Sequence, residues 1–423
     1  MTRFRLKFLL VLLGLASSPM HAQLAGLKDG TSNTLQFPEK SGGGSLTGIN
    51  NLTTRGSLTG NVQQSVDGAS GNQTLSVAGA EGGVNTNSAS LTGGISADIN
   101  QNIGDSARSA QQRIGAGSLV GSRVGRVQTS GEITGAPVFQ SISGGAGNRQ
   151  VIEAGSVSGS QASSVVTRGE IRGGVTQVQS STAGATQSLT AGAVSNVDAA
   201  GSILARGTVA GAVSQVNSGN VNQSIEAGSV RGGSSLEVRT QGDILGNVSQ
   251  TAGRGSGGSQ TLQVGSVSNT LGNVDARGTT TGSISQAIRS SNNVQQGVSV
   301  GSVVGGSGQT ITEAVSTGNI TQVATGANNS TQAISVGGAE NTSGAVTTRA
   351  FVSGNLEQII SGASGTQNIN LGSVRNSGVN ITTDVVVSGN VSQSLSGSGS
   401  GSQRVLVGGV EGAQQSGNVV NDQ

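Results

Sequence analysis

The chain contains no cysteine, tryptophan or tyrosine, and only one histidine, three prolines and five phenylalanines among its 423 residues. The single histidine, His21, and both methionines lie in the first 22 positions, leaving Phe37, Phe139 and Phe351 as the only aromatic residues beyond them. This inventory excludes His/Cys metal centres, cysteine nucleophiles and a Ser-His-Asp arrangement. Aromatic platforms for stacking bases or sugars are almost excluded as well. Without disulfides, rigidity has to come from the backbone. Acids are also thinly spread: Glu153, Glu226 and Glu313 stand singly, with no paired-carboxylate motif. The regular aspartates of calcium-binding nonapeptides are missing. The expectation is therefore a non-enzyme with no cofactor.

Long apolar runs are confined to the N-terminus. Residues 1–22 read as a signal peptide: Arg3, Arg5 and Lys7 precede an apolar stretch from Phe8 to Ala16, too short to span a bilayer, and the cleavage point reads as after Ala22. Loss of those three basic residues takes the net charge from +2 to −1, so the basic pI is no sign of nucleic-acid binding. The expected location is secreted.

Glycine is abundant, at 73 residues, and serine, threonine and asparagine accompany it. Such a composition suits a flexible linker, but here Val, Ile and Leu recur with a period. One word returns along the chain. It appears as GNVQQSV at Gly60, GGVTQVQ at Gly173, GAVSQVN at Gly211 and GNVSQTA at Gly246. It continues as GSISQAI at Gly282, GNITQVA at Gly318, GNLEQII at Gly354 and GNVSQSL at Gly389. Looser copies, ADINQNI at Ala97 and GAPVFQSI at Gly135, fill the interval between the first two, and successive starts are 35–38 residues apart. A fixed period of this size marks a repeat architecture.

Each copy contains two segments with period-two alternation, the mark of a β-strand. In the first, a glutamine shares a face with aliphatic residues, as in Val391-Gln393-Leu395. In the second the same holds, as in Gln260-Leu262-Val264 and Gln367-Ile369-Leu371. The glutamines of the first strand are Gln64, Gln101, Gln140, Gln177, Gln215, Gln250, Gln286, Gln322, Gln358 and Gln393. Those of the second are Gln73, Gln112, Gln150, Gln187, Gln223, Gln260, Gln296, Gln332, Gln367 and Gln403. A buried amide without a partner costs about 1–3 kcal/mol, so twenty of them require partners. In-register stacking at ~4.8 Å supplies them as hydrogen-bonded ladders; a one-sided sheet with glutamines in water is the alternative. The rest of each repeat echoes the first half, as Gly354-Asn-Leu-Glu-Gln and Gly372-Ser-Val-Arg-Asn, so 18-residue coils compete with 36-residue layers. In 18-residue coils, equivalent glutamines would sit ~9.6 Å apart, beyond hydrogen-bond reach, which favours one repeat per layer. The expected fold is all-β, a parallel β-solenoid of about ten stacked ~36-residue repeats, ~48 Å long. The expected organisation is a signal peptide at 1–22, an irregular N-terminal leader at 23–57 carrying Lys28, Pro38 and Lys40, and the solenoid at 58–423.

GNVQQSVDGASGNQTLSVAG at 60–79 and GNLEQIISGASGTQNINLG at 354–372 resemble the repeats of Fap-type functional amyloid subunits of Gram-negative bacteria, which join a Gly-Asn-apolar strand, a Gly/Ala/Ser turn and an Asn/Gln-rich strand. The glutamine periodicity is also similar to that of curlins. The likeness covers most of residues 60–410, although this chain has near-continuous repeats and lacks the C-terminal cysteine pair of some such subunits. It implies an extracellular fibre subunit that stacks on copies of itself, leaves through an outer-membrane export pore, and supports biofilm or surface attachment. A second class is a monomeric adhesin or matrix spacer. For it, Arg168, Arg206, Arg277 and Arg349 form a candidate stripe for acidic polysaccharide, although nearby Glu170 and Asp275 also suit a plain solvated face. An ice-binding array is not supported, because pairs such as Thr347-Thr348 and Thr382-Thr383 do not recur regularly enough for a flat threonine array.

Overall fold

Alternation with period two, glycine at the corners and the near-absence of proline leave the chain nothing to build but strands and tight turns. A computed structural model describes residues 22–27, 32–37, 46–66, 71–81, 84–104, 109–135, 137–180, 184–219, 221–253, 255–289, 291–362, 364–377, 380–397, 399–412 and 419–422. The segment 1–21, where nearly all of the expected signal peptide falls, lies outside them, as do Lys28, Pro38 and Lys40. Among the described residues all regular structure is β, and each strand pairing is parallel.

One turn of the coil shows the plan. A first strand, Leu356–Ser361, is followed across a corner by a second, Gly365–Leu371, then by a two-residue third, Val374–Arg375, and a fourth, Ile381–Val387. The next turn begins with Val391–Ser396, which lies directly on the first strand with Leu356 opposite Val391 and Gln358 opposite Gln393. A layer is thus one ~36-residue repeat, and the 18-residue alternative is excluded, because the two halves of a repeat occupy different sides of the same layer. Second strands stack into an eleven-stranded sheet, and the other three form a 29-stranded one.

Inward positions form continuous columns. Leu75, Ile114, Ile152, Leu189, Ile225 and Leu262 are all 0 % exposed and belong to one cluster with Val62, Ile99 and Val138 from the first strands. A second cluster, including Leu119, Val157, Val194 and Val230, fills the space between the third and fourth strands. Each layer is too thin to bury its own apolar side chains, so the core exists only through its neighbours above and below.

The corner between the second and third strands uses glycine because its backbone is left-handed: Gly192 and Gly265 have φ near +59°. A Cβ on Gly265 would also land on the carbonyl oxygen of Arg277. Facing that corner, the fourth strand carries its own glycine column, Gly131, Gly169, Gly207, Gly242 and Gly278, which gives way in register to Ala314, Ala350 and Val385.

The N-terminal segment departs from the expected irregular leader at 23–57. Ala22–Leu27 pairs with the first strand at 62–66, Ser32–Phe37 pairs with Asn72–Val77, and Leu46–Val66 is one long strand. The backbone register places Leu24 opposite Gln64 and Asn33 opposite Gln73. The physical reason is that SNTLQF keeps the same alternation as NQTLSV, with an asparagine where the repeat has glutamine.

Candidate functional site

The twenty glutamines lie in two straight columns. In the first-strand column Gln101 donates to Gln64 at 2.6 Å, Gln140 to Gln101 at 2.7 Å and Gln177 to Gln140 at 2.8 Å. The series runs on through Gln215, Gln250, Gln286, Gln322, Gln358 and Gln393, each donating from Nε2 to the Oε1 of its predecessor at 2.8 Å. In the second-strand column Gln112 donates to Gln73 and Gln150 to Gln112, both at 2.9 Å. Gln187, Gln223, Gln260, Gln296, Gln332, Gln367 and Gln403 continue it at 2.7–3.0 Å.

For most of these glutamines the second N–H reaches the backbone of the facing strand. Gln286 donates to the carbonyl of Gly297 at 3.2 Å, and Gln332 to that of Ile359 at 3.0 Å. Such a glutamine therefore ties its own sheet to the next layer and to the sheet across the core. That explains how side chains such as Gln187 and Gln322 can be 0 % exposed among aliphatic neighbours. Every bond in both columns runs the same way, from a later layer to an earlier one.

Three further sets of ties between layers escaped the sequence reading. Thr129 and Thr240 donate to the carbonyls of Gly155 and Gly265 at 2.6 and 2.5 Å, and Thr348 donates to that of Gly372. The Asn319 and Asn355 side-chain oxygens accept from the backbone N–H of Asn355 and Asn390, at 2.9 and 3.0 Å. Ser229 and Ser266 accept likewise from Ser266 and Ser302, at 3.4 and 3.3 Å. The signals were present in the GN before several first strands and the GS after most second strands.

The four arginines of the proposed stripe share a column on the fourth strand, but it is not uniformly positive. Arg168 is opposite Arg206; beyond them the column reads Gln241, Arg277, Glu313, Arg349 and Asp384. Arg277 is ion-paired to Asp275 at 3.1 Å and to Glu313 at 3.5 Å. Only Arg168 and Arg206 are like charges on adjacent strands in this run. Elsewhere, burial pushes the Glu226 carboxyl up from its usual range, with Arg231 at 3.0 Å pulling the other way. No group of three or more metal-ligating side chains occurs among the described residues.

The two glutamine columns change character at their C-terminal end. Gln393 is half-buried and Gln403 exposed. Val405 is 46 % exposed, where its counterparts Leu262, Ile334 and Ile369 are at 0–1 %. The strands Val391–Ser396 and Gly401–Val407 each pair on one side only among the described residues. Among the described residues, and leaving Val407 aside, these strands therefore present ladder N–H and C=O groups, apolar side chains and two amides along one edge.

No protein-family model, curated protein or solved structure matches the chain.

Proposed function

We propose that the protein is an exported structural subunit that self-associates into extracellular fibres by adding layers to the ends of its solenoid. The observation that carries this reading is the exposed terminal layer, whose strands, valines and amides repeat the chemistry that every interior layer buries. In-register amide ladders and dry aliphatic columns are the means by which cross-β assemblies hold together. The N-terminal signal and the likeness to Fap-type repeats support a role outside a Gram-negative cell, reached through an outer-membrane pore, in biofilm matrix or surface attachment. The reading assigns the chain no reaction and no cofactor.

One feature favours a second reading, a monomeric adhesin or spacer. The N-terminal strands at 22–27 and 32–37 cover one end, and Leu24 interrupts one glutamine column there. In that case the rod would present a side surface, such as the Arg168–Arg206 pair, to an acidic polysaccharide. Electron microscopy and fibre diffraction of residues 23–423 separate the two. Unbranched fibres with a meridional reflection at ~4.7–4.8 Å support the fibre subunit, whereas a stable, monodisperse β-rich monomer overturns it.

A further inference from the structure

Resting on the fibre reading, we infer that copies join head to tail, with the N-terminal strands of one copy seated on the C-terminal edge of the next. The pair Ala22–Leu27 and Ser32–Phe37 lies on Val391–Ser396 and Gly401–Val407. The joint is a seam that keeps the register of the interior layers but has Leu24 and Asn33 where they have glutamine.

The direction follows from the amides. Every Nε2 in both columns donates toward the N-terminal end, so Gln393 and Gln403 spend their donors on Gln358 and Gln367 and turn their Oε1 acceptors to the open edge. Two such edges brought together would oppose acceptor to acceptor. The N-terminal edge avoids that conflict, with Asn33 at the register position of Gln73 and Leu24 at that of Gln64.

The register supplies the fit. Asn33, Leu35 and Phe37 occupy the columns of Gln73, Leu75 and Val77. Those columns run unbroken through Gln367, Ile369 and Leu371 to Gln403, Val405 and Val407. Stacking a second copy therefore puts Asn33 at the register position above Gln403 and Leu35 at the position above Val405. On the first-strand side Gln23 falls over Ser392 and Leu24 over Gln393 in the same register.

The order of strands agrees as well. The last described layer offers Val391–Ser396, Gly401–Val407 and Val419–Asp422. The incoming copy offers Ala22–Leu27, Ser32–Phe37 and the long strand Leu46–Val66 in the same sequence. Both Ala22–Leu27 and Ser32–Phe37 pair on one side only among the described residues, so each end has a free edge for the other. If instead the first repeat docked directly, its strand at 46–55 would compete with Val419–Asp422 for one place, because the register puts both in the column of Ile381–Asp384.

The absence of native cysteine makes the seam testable by crosslinking. Adjacent parallel strands hold their Cα atoms ~4.8 Å apart, within disulfide range. Residues 23–423 carrying Ser32→Cys with Ser402→Cys are assembled under reducing conditions, then oxidised and run on a denaturing, non-reducing gel. Thr34→Cys with Arg404→Cys serves as an independent pair in the neighbouring column. The expected result is a ladder of covalent oligomers from either pair, with only monomer from Asn72→Cys with Ser402→Cys and from Ser402→Cys alone. A ladder from the Asn72 pair means the N-terminal strands have been displaced, and dimers from Ser402→Cys alone mean tail-to-tail contact; each overturns the seam. Fibres with none of these crosslinks overturn it too, leaving the fibre reading in place. Failure to form any fibre overturns both.

Discussion

Replacing one glutamine in the middle of a column disturbs three residues. In Gln286→Leu, the Nε2 of Gln322 loses its acceptor and the Oε1 of Gln250 loses its donor, while the carbonyl of Gly297 loses a bond across the core. Each orphaned buried group costs ~1–3 kcal/mol, so the urea midpoint should fall by the equivalent of several kcal/mol despite the gain in apolar volume. The same change at Gln403, itself exposed, orphans only the Oε1 of Gln367 and should lower the midpoint by a smaller amount. Glycine offers a parallel contrast. Gly265→Ala puts a methyl on the Arg277 carbonyl at a left-handed corner and should be among the most damaging single changes in the chain. Gly297→Ala meets only the Thr261 methyl at 3.6 Å, within a regular strand, and should be neutral or stabilising by up to ~1 kcal/mol in thermal melts. Glu226 sets a pH dependence. Its carboxyl is pushed up by burial, so the folded state holds its proton to higher pH than the unfolded chain does. Its contribution is therefore most favourable below the ordinary glutamate pKa and is lost as pH rises through the raised value. Denaturant titrations should show wild type gaining stability relative to Glu226→Gln as pH is lowered from 7 to 4. A constant difference across that range would refute the assignment.

At the scale of strands and corners, what was legible in the sequence is what repeats in chemistry as well as in position. The glutamines were readable because an amide on an aliphatic face is costly alone and recurs at every turn. The period was readable from the same residues, since only ~36-residue layers bring glutamine onto glutamine. The Thr129, Thr240 and Thr348 ties were not, because alanine takes that place at Ala205 and Ala276, and the bond goes to a backbone carbonyl that leaves no mark in sequence. The strands at 22–27 and 32–37 were missed because Leu24 and Asn33 stand where the motif has glutamine, although the alternation around them is intact. The arginine stripe illustrates the converse: its spacing was legible, but the intervening Gln241 and Glu313 become its neighbours only once the strands are in register. A deletion tests the layer at this scale. Removing 282–317 takes out one whole turn between equivalent corners at Gly282 and Gly318, and should leave a folded, cooperative protein. Removing 282–299 alone places first strands on third and fourth strands and should abolish folding, as read by circular dichroism and proteolysis.

For the molecule as a whole, the outer shape is a consequence of the interior bookkeeping between layers. Each layer satisfies its neighbour through backbone, amide, hydroxyl and aliphatic columns together, so among the described residues from 46 to 412 the columns pass from layer to layer without a break. The change from Gly278 to Ala314, Ala350 and Val385 alters side-chain volume against the corner glycines without breaking any column. One consequence reaches beyond mechanics. Because every amide in both glutamine stacks points the same way along the axis, their dipoles add rather than cancel. The rod is therefore an electrically polar object despite its sparse charge, and a fibre of rods laid in one direction would carry that moment over its full length. Such fibres would orient in an alternating field, and their side-chain amide C=O band would be polarised parallel to the fibre axis in infrared linear dichroism.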